Sequence, residues 1–401
     1  MSGRDPHEQN RAATPLEALF DLTFASCFGL AAAQFSHMLA EAHYAAALIG
    51  FGFSSFAICW AWINFSWFSS AYDTDDWGFR LLTMIQMIGV VIVAIGLPQM
   101  FTSIEHGEHL DNKVIVLGYV VMRIPMVFQW LRAASQDPKR RRTCLTYAIA
   151  ISIAQVGWIA QIFIDASISA TLLCAAVLAA IEFAGPLVAE GKDGGTPWHA
   201  HHIAERYSLF ALIALGEGIV GTAAAVSAVV EARGWNIDAA LVCIAGIGLT
   251  FSMWWVYDLL PSAAILHDHR DRAFIWGYGQ IVSIASIVAT GAGLHVAAYY
   301  IEHKSHAGAL ATLFCTAIPV SVFLVSVYAL HGYLVRQSNA LHSWLLAVIA
   351  AIVACAIIAV SRGVEMSIGL VILMLAPAVT VVGHEAAEHR TQVNASAKDT
   401  A

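Results

Sequence analysis

The chain is 401 residues long, 59% hydrophobic and only 12% charged, with a mean hydropathy of +0.70. Soluble domains carry roughly twice that charged fraction, so the composition excludes an ordinary water-soluble protein and points to a bilayer. The net charge of -8 comes with no basic face, which excludes nucleic acid as a partner.

A spanning helix needs about 20 apolar residues. Allowing one interior charge or a short loop in places, twelve stretches qualify: 17–39, 45–69, 80–101, 112–132, 143–164, 168–189, 205–229, 238–259, 273–300, 307–335, 341–361 and 365–383. The expected fold is therefore all-α, a polytopic transmembrane helical bundle of about twelve spans. Residues 1–16 are polar and lack the apolar core and small-residue cleavage site of a secretory signal, so the first span is expected to be retained.

Lysine and arginine test the count independently, because cytoplasmic loops carry the excess of both. Only Lys113, Arg233, Lys304 and Arg362 fall on one side, and Arg123 falls within a span. The rest of the 20 lie at the two ends or in the even-numbered connections. Twelve spans with both termini in the cytoplasm, in a bacterial inner membrane, are the expectation. All seven cysteines fall in or beside spans without a CxxC pair, which argues against a disulfide framework or a zinc ribbon.

The Gly-rich segment EGKDGGTPWHAHH follows the sixth span. It divides the chain into a first six-helix half (17–189), a cytoplasmic connecting loop (190–204), a second half (205–383) and a cytoplasmic tail (384–401). Both halves then begin on the same side, as parallel repeats require. Weak echoes fit: Trp60 and Trp62 precede the acidic loop YDTDDWGFR, and Trp254 and Trp255 precede YDLLPSAAILHDHRDR. Arg80 and Arg272 then open the next helices, with Gln86 and Gln280 following. Aromatic belts recur in any membrane protein, so unrelated halves remain the competing reading.

Candidate functional residues are those a lipid interior should reject. Arg123 and Glu217 lie near the middle of the fourth and seventh spans, where a charge costs on the order of 2.5 to 3.5 kcal/mol. Gly216, Gly218 and Gly221 around Glu217 would let a helix or ligand approach closely. A direct Arg123–Glu217 pair is expected, either as a permanent brace or as a site where a proton or anion alternates with the pair. A Glu shielded from water can also carry a proton at neutral pH. Asp21 lies one turn beyond Glu17, whose position suits a helix first turn, and is a candidate for pairing or proton uptake. His295, deep in the ninth span, is a candidate proton relay or ligand group.

Asp73, Asp75 and Asp76 with Arg80 form either a cytoplasmic gate latch or a solvated capping loop. Trp60, Trp62, Trp254 and Trp255 are candidate cavity-lining aromatics, with belt or packing roles as the alternative. His199, His201, His202 and Glu205, with His267, Asp268 and His269 and with His384, Glu385, Glu388 and His389, invite a metal reading. None has the HExxH form, and no metal, cofactor or catalytic residue is assigned.

Several long segments carry a resemblance. TPLEALFDLTF (14–24), WAWINFSWFSSAYDTDD (60–76), RLLTMIQM (80–87) and HHIAERYSLFALIALGEGIV (201–220), together with GYVVMRI around Arg123, resemble the bacterial low-temperature-requirement A family, LtrA. The resemblance implies a polytopic inner-membrane protein linked by name to growth in the cold, and no established biochemical activity. Ala18 and Leu19 depart from the family's usual LELFFDL, and Gly218 from its usual GES, which removes a hydroxyl beside Glu217.

With no GxxxxGK[ST] motif, ATP-driven transport by this chain is disfavoured. The expected function is proton-coupled secondary transport of a small, anionic solute, with membrane lipid and a small-molecule or ion substrate as partners. Arg123 would bind the solute, and Glu217, helped by Asp21 or His295, would take the proton. Two rivals are a lipid-modifying or cofactor-binding membrane enzyme and a non-catalytic organising or sensory protein.

Overall fold

A computed structural model describes residues 1–8, 11–107, 109–164, 166–259, 261–336 and 340–399, without the side chains of 340 and 387–399. Among the described residues fourteen α-helices follow one another: α1 (Pro15–Ala40), α2 (Tyr44–Tyr72), α3 (Trp77–His106), α4 (Lys113–Gln136), α5 (Arg141–Ile162), α6 (Ile168–Glu190), α7 (Ala200–Ala214), α8 (Gly216–Arg233), α9 (Ile237–Asp258), α10 (Ser262–Asp268), α11 (Ala273–Ile301), α12 (Ala309–Val335), α13 (Ala340–Ser361) and α14 (Met366–Asp399). Among the described residues twelve helical stretches are long and apolar enough to cross a membrane, and no strand occurs. Lipid offers no partner for backbone N–H and C=O groups, so a chain this apolar satisfies them within helices.

Helix ends follow local chemistry. Asp76, Ser167 and Asn236 accept from backbone N–H groups three residues on and start α3, α6 and α9. Gly107, at φ 77°, ends α3 in the left-handed conformation that glycine adopts without penalty. The seventh span is expected to be continuous but is two helices, interrupted at Leu215. The Gly218 amide donates to the Leu215 carbonyl at 2.9 Å, a tighter i→i+3 turn. Gly216 and Gly218 around Glu217 weaken regular helix there.

The chain forms two compact units. The first holds Met1–Phe35, His43–Ile213 and Ala263–Gly277; the second holds Ser36–Ala42, Ala214–Ser262 and from Tyr278 onward. The chain crosses between them after Phe35, Ala42, Ile213, Ser262 and Gly277. Residues 190–206 are held in the first unit by Glu190 on Thr196, Ser70 on the His199 amide and Asp21 on Arg206.

The first unit has an aromatic core, with Phe20 stacked on Phe65 at 3.9 Å, Trp62 on Phe210 at 4.4 Å and Trp130 on Tyr147 at 4.1 Å. Its α3 and α4 touch backbone to backbone. A Cβ on Gly118 would come within 2.6 Å of the Gly89 carbonyl oxygen, and one on Gly89 within 2.6 Å of the Gly118 oxygen. In the second unit Ala225, Ala228 and Val229 of α8 pack with Ala239 and Val242 of α9 and Ala298 of α11. Small side chains allow this closeness where no hydrophobic force drives helices together.

Gly118→Ala should lower stability by about 1–3 kcal/mol through forced separation of α3 and α4. Gly52→Ala, whose Cβ would meet nothing within 4 Å, should leave it unchanged or slightly raised. Thermal unfolding of both variants in detergent checks the contrast.

Candidate functional site

Arg123 projects from α4 into the first unit, with 2% of its side chain exposed, and lies 2.9 Å from Glu182 of α6, itself 3% exposed. Glu182 Oε2 accepts from the Arg123 guanidinium, from Tyr119 Oη at 3.0 Å and from the Trp60 indole N–H. Its Oε1 accepts from Trp158 Nε1 at 3.0 Å. Arg123 also donates to Tyr119 Oη at 2.5 Å and stacks over that ring. One carboxylate thus gathers donors from α2, α4 and α5. Charge-assisted bonds of this kind make a buried ion tolerable.

The expected Arg123–Glu217 pair is therefore replaced by Arg123–Glu182. Glu182 sits on a neighbouring helix of the same unit, surrounded by donors placed for it. Glu182 is not among the candidates that the sequence singles out. The signal was available, since a lone carboxylate in AAIEFAGP carries the same implication as Glu217.

A second buried cluster lies nearer the chain's N-terminal end. Arg206 of α7 approaches Asp21 at 2.5 Å and Glu17 at 3.0 Å, all three with 0% side-chain exposure. Trp62 Nε1 donates to Asp21 Oδ1 at 2.6 Å, and His202 Nε2 lies 3.2 Å from Glu17 Oε2. Arg11 stands 3.8 Å from both Glu17 and Asp73 and donates to the Ser69 carbonyl at 3.1 Å. Asp21 is thus an inter-helix pairing residue, and Arg206, at the edge of the expected seventh span, is its partner.

The residues assigned to a gate find partners inside the first unit. Asp76 caps α3 through the Phe79 amide at 3.0 Å and holds Arg132 at 2.6 Å. Arg132 and Thr74 keep its carboxyl well below the ordinary carboxylate range. Asp75 pairs with Arg80 at 2.6 Å, and that exposed pair lowers the Asp75 carboxyl as well. Asp73 is buried and accepts the Asp75 amide at 2.8 Å; burial, with the Glu17 charge nearby, pushes its carboxyl up.

Trp60 and Trp62 serve as indole donors to two different carboxylates rather than as one wall. Trp254 and Trp255 lie half-buried on α9 around Phe251, with ring centroids at 5.6 Å.

In the second unit Glu217 stands in the first turn of α8, half-buried. It enters no ion pair or side-chain hydrogen bond among the described residues. A Cβ on Gly291 of α11 would come within 2.6 Å of its carbonyl carbon, so two backbones meet beside it. His295 lies half-buried on α11, one turn beyond Gly291.

The histidines divide among local tasks. His199 Nε2 donates to the Glu8 carbonyl at 2.8 Å and its Nδ1 accepts the His202 amide at 3.2 Å, the pattern of a neutral ring, and burial lowers its pKa. The His201 and His267 rings lie 6.3 Å apart. Among the described residues no three His, Cys, Asp or Glu side chains are arranged to hold a metal. The side chains of Glu388 and His389 lie outside the described residues.

The family described as Bacterial low temperature requirement A protein (LtrA) matches residues 12–377. An uncharacterized protein of Rhizobium meliloti (strain 1021) is 25% identical over 311 residues, 71% of this chain and 69% of its own. No solved structure matches.

Two outcomes test these assignments. Arg123→Met should cost about 3–5 kcal/mol by leaving Glu182 buried without its counter-ion, and Arg123→Met with Glu182→Leu should recover most of that loss, measured by unfolding in mixed micelles. Asp76 ionises below the ordinary value of about 3.9, so its contribution is fully present above about pH 4 and fades as pH falls further. Asp76→Asn should flatten that acid limb in a pH series of melting temperatures.

Proposed function

Since the chain belongs to the bacterial low-temperature-requirement A family, we propose that it is an integral inner-membrane protein that carries out proton-coupled secondary transport of a small, anionic solute, with both ends in the cytoplasm. The Lys and Arg distribution supports that orientation.

One observation carries the transport reading. Asp21 and Glu182 are each held by an arginine and an indole, whereas Glu217 has no ionic partner among the described residues. Fixed ion pairs stabilise a bundle but move nothing. A carboxyl without a counter-ion at that depth is tolerated in its protonated form and can load and release a proton. The interruption at Leu215 and the glycines beside Glu217 supply the irregular backbone that transporter sites commonly use. His295, one turn from Gly291 on the helix that packs there, is the neighbour placed to share that proton.

Arg123 changes role under this reading. Its charge is already balanced, so a solute anion reaches it only by competing with Glu182. Both bonds of the guanidinium run through Nη2, and the buried Nε atom has no partner among the described residues. A second reading, a membrane-organising protein without transport, draws on the complete satisfaction of Glu182.

Liposomes holding the purified chain and an entrapped pH-sensitive dye separate the two. Addition of small carboxylates such as L-lactate or succinate should change internal pH beyond the protein-free rate. Glu217→Gln should abolish that change while melting as the unaltered protein does. Flux undiminished by Glu217→Gln removes this residue from coupling, and no flux with any solute favours the organising role.

A further inference from the structure

At one end of the first unit, cations gather where the connection before α5 meets the one after α6. Lys139 lies in the first connection, Arg141 and Arg142 open α5, and Lys192 follows α6. All four are exposed, and none joins an ion pair among the described residues. We propose that this cluster binds the phosphate headgroup of an anionic membrane phospholipid.

The cluster is assembled from two connections, and specific bonds hold them together. Thr143 Oγ1 donates to the Lys192 carbonyl at 2.6 Å, Lys192 Nζ donates to Thr146 Oγ1 at 3.1 Å, and the Arg142 amide donates to Asp193 at 2.9 Å. The residue after α6 is thereby laid against the first turns of α5, and Lys192 meets the face that carries Arg142. Two acids stand close by. Asp193 accepts a backbone amide, and Asp137 is buried on Arg140 at 3.2 Å, so neither pairs with a side chain of the four. Arg141 and Arg142 also stand in a helix first turn, where the dipole disfavours cations. An anion beside them removes that repulsion.

The surroundings select a lipid as its source. Along one face of α5, Arg142 is followed by Thr146 and then by Ile149, Ile153 and Val156; on α6, Ile181 and Val188 lead toward Lys192. These isoleucines and valines are all exposed. The two helices also approach closely, since a Cβ on Gly185 would lie 2.8 Å from the Ala150 Cβ. A phosphate on the cations therefore places acyl chains along apolar side chains that continue from it into the membrane. A free phosphate ion gains nothing from those faces. Arginine forks match phosphate oxygens in pairs, and lysines add point charge.

Orientation in a bilayer asks only for Lys and Arg in a connection. It does not ask that they be collected from two connections above the lipid-facing sides of the same two helices, which is the arrangement basic headgroup sites use. The site involves neither Glu217 nor a transported solute and so stands apart from the transport reading. Under the orientation proposed above it faces the cytoplasmic leaflet.

The full chain in neutral-detergent micelles, titrated with phosphatidylglycerol and read by native mass spectrometry, tests this. Phosphatidylglycerol should bind saturably, and phosphatidylcholine at least about tenfold more weakly. Lys139→Gln, Arg141→Gln, Arg142→Gln and Lys192→Gln combined should weaken phosphatidylglycerol binding by at least about tenfold, whereas Lys113→Gln with Arg362→Gln, which removes cations of other connections, should leave it within about twofold. Millimolar inorganic phosphate should fail to displace the lipid. Should the combined variant misfold, Arg142→Glu alone decides, with a loss of at least about tenfold expected. Equal binding of the two lipids, binding that neither the combined variant nor Arg142→Glu weakens, or full displacement by inorganic phosphate overturns the proposal.

Discussion

Charge withdrawn from water has to be answered by charge and by hydrogen bonds, and the first unit is organised around that demand. Arg206 faces two carboxylates from α1, and Arg123 faces one from α6. The surrounding indoles and phenol are consequences of the same requirement. Trp60, Trp62, Tyr119 and Trp158 bring N–H and O–H groups to carboxylate oxygens that lipid cannot solvate, and their rings fill the space around them. Replacing such ions with apolar residues of similar volume is often neutral, so these networks specify which helices meet more than they add stability. Glu217 departs from this pattern, which is why function is sought there.

The spans were legible because length and hydropathy alone determine them, and the Lys and Arg bias guarded the count. What periodicity does not carry is partner choice. Arg123 and Glu182 stand 59 positions apart and Arg206 and Asp21 185, and nothing local in either segment points to the other. Arg206 stands second in the span that hydropathy draws from 205, among polar neighbours that hide its depth; the helix itself begins at Ala200. The interruption beside Glu217 is written in the glycines: Gly218 and Gly221 permit close contact, while Gly216, whose Cβ would meet nothing within 4 Å, lies at the break. The acidic loop before α3 held two readings, and the caps and pairs of Asp75 and Asp76 favour the local one.

The 185-residue separation within the Arg206 cluster bears on how the molecule is made. Chains are synthesised from the N-terminus, so α1 leaves the ribosome with Glu17 and Asp21 long before α7 exists. Glu17 has Arg11 of the preceding segment beside it in the finished fold, whereas Asp21 waits for Arg206 of the seventh span. Closure of the first unit is in this sense made from the far end, and the contacts of Glu8 with His199 and of Ala13 with Glu205 wait for the same stretch of chain.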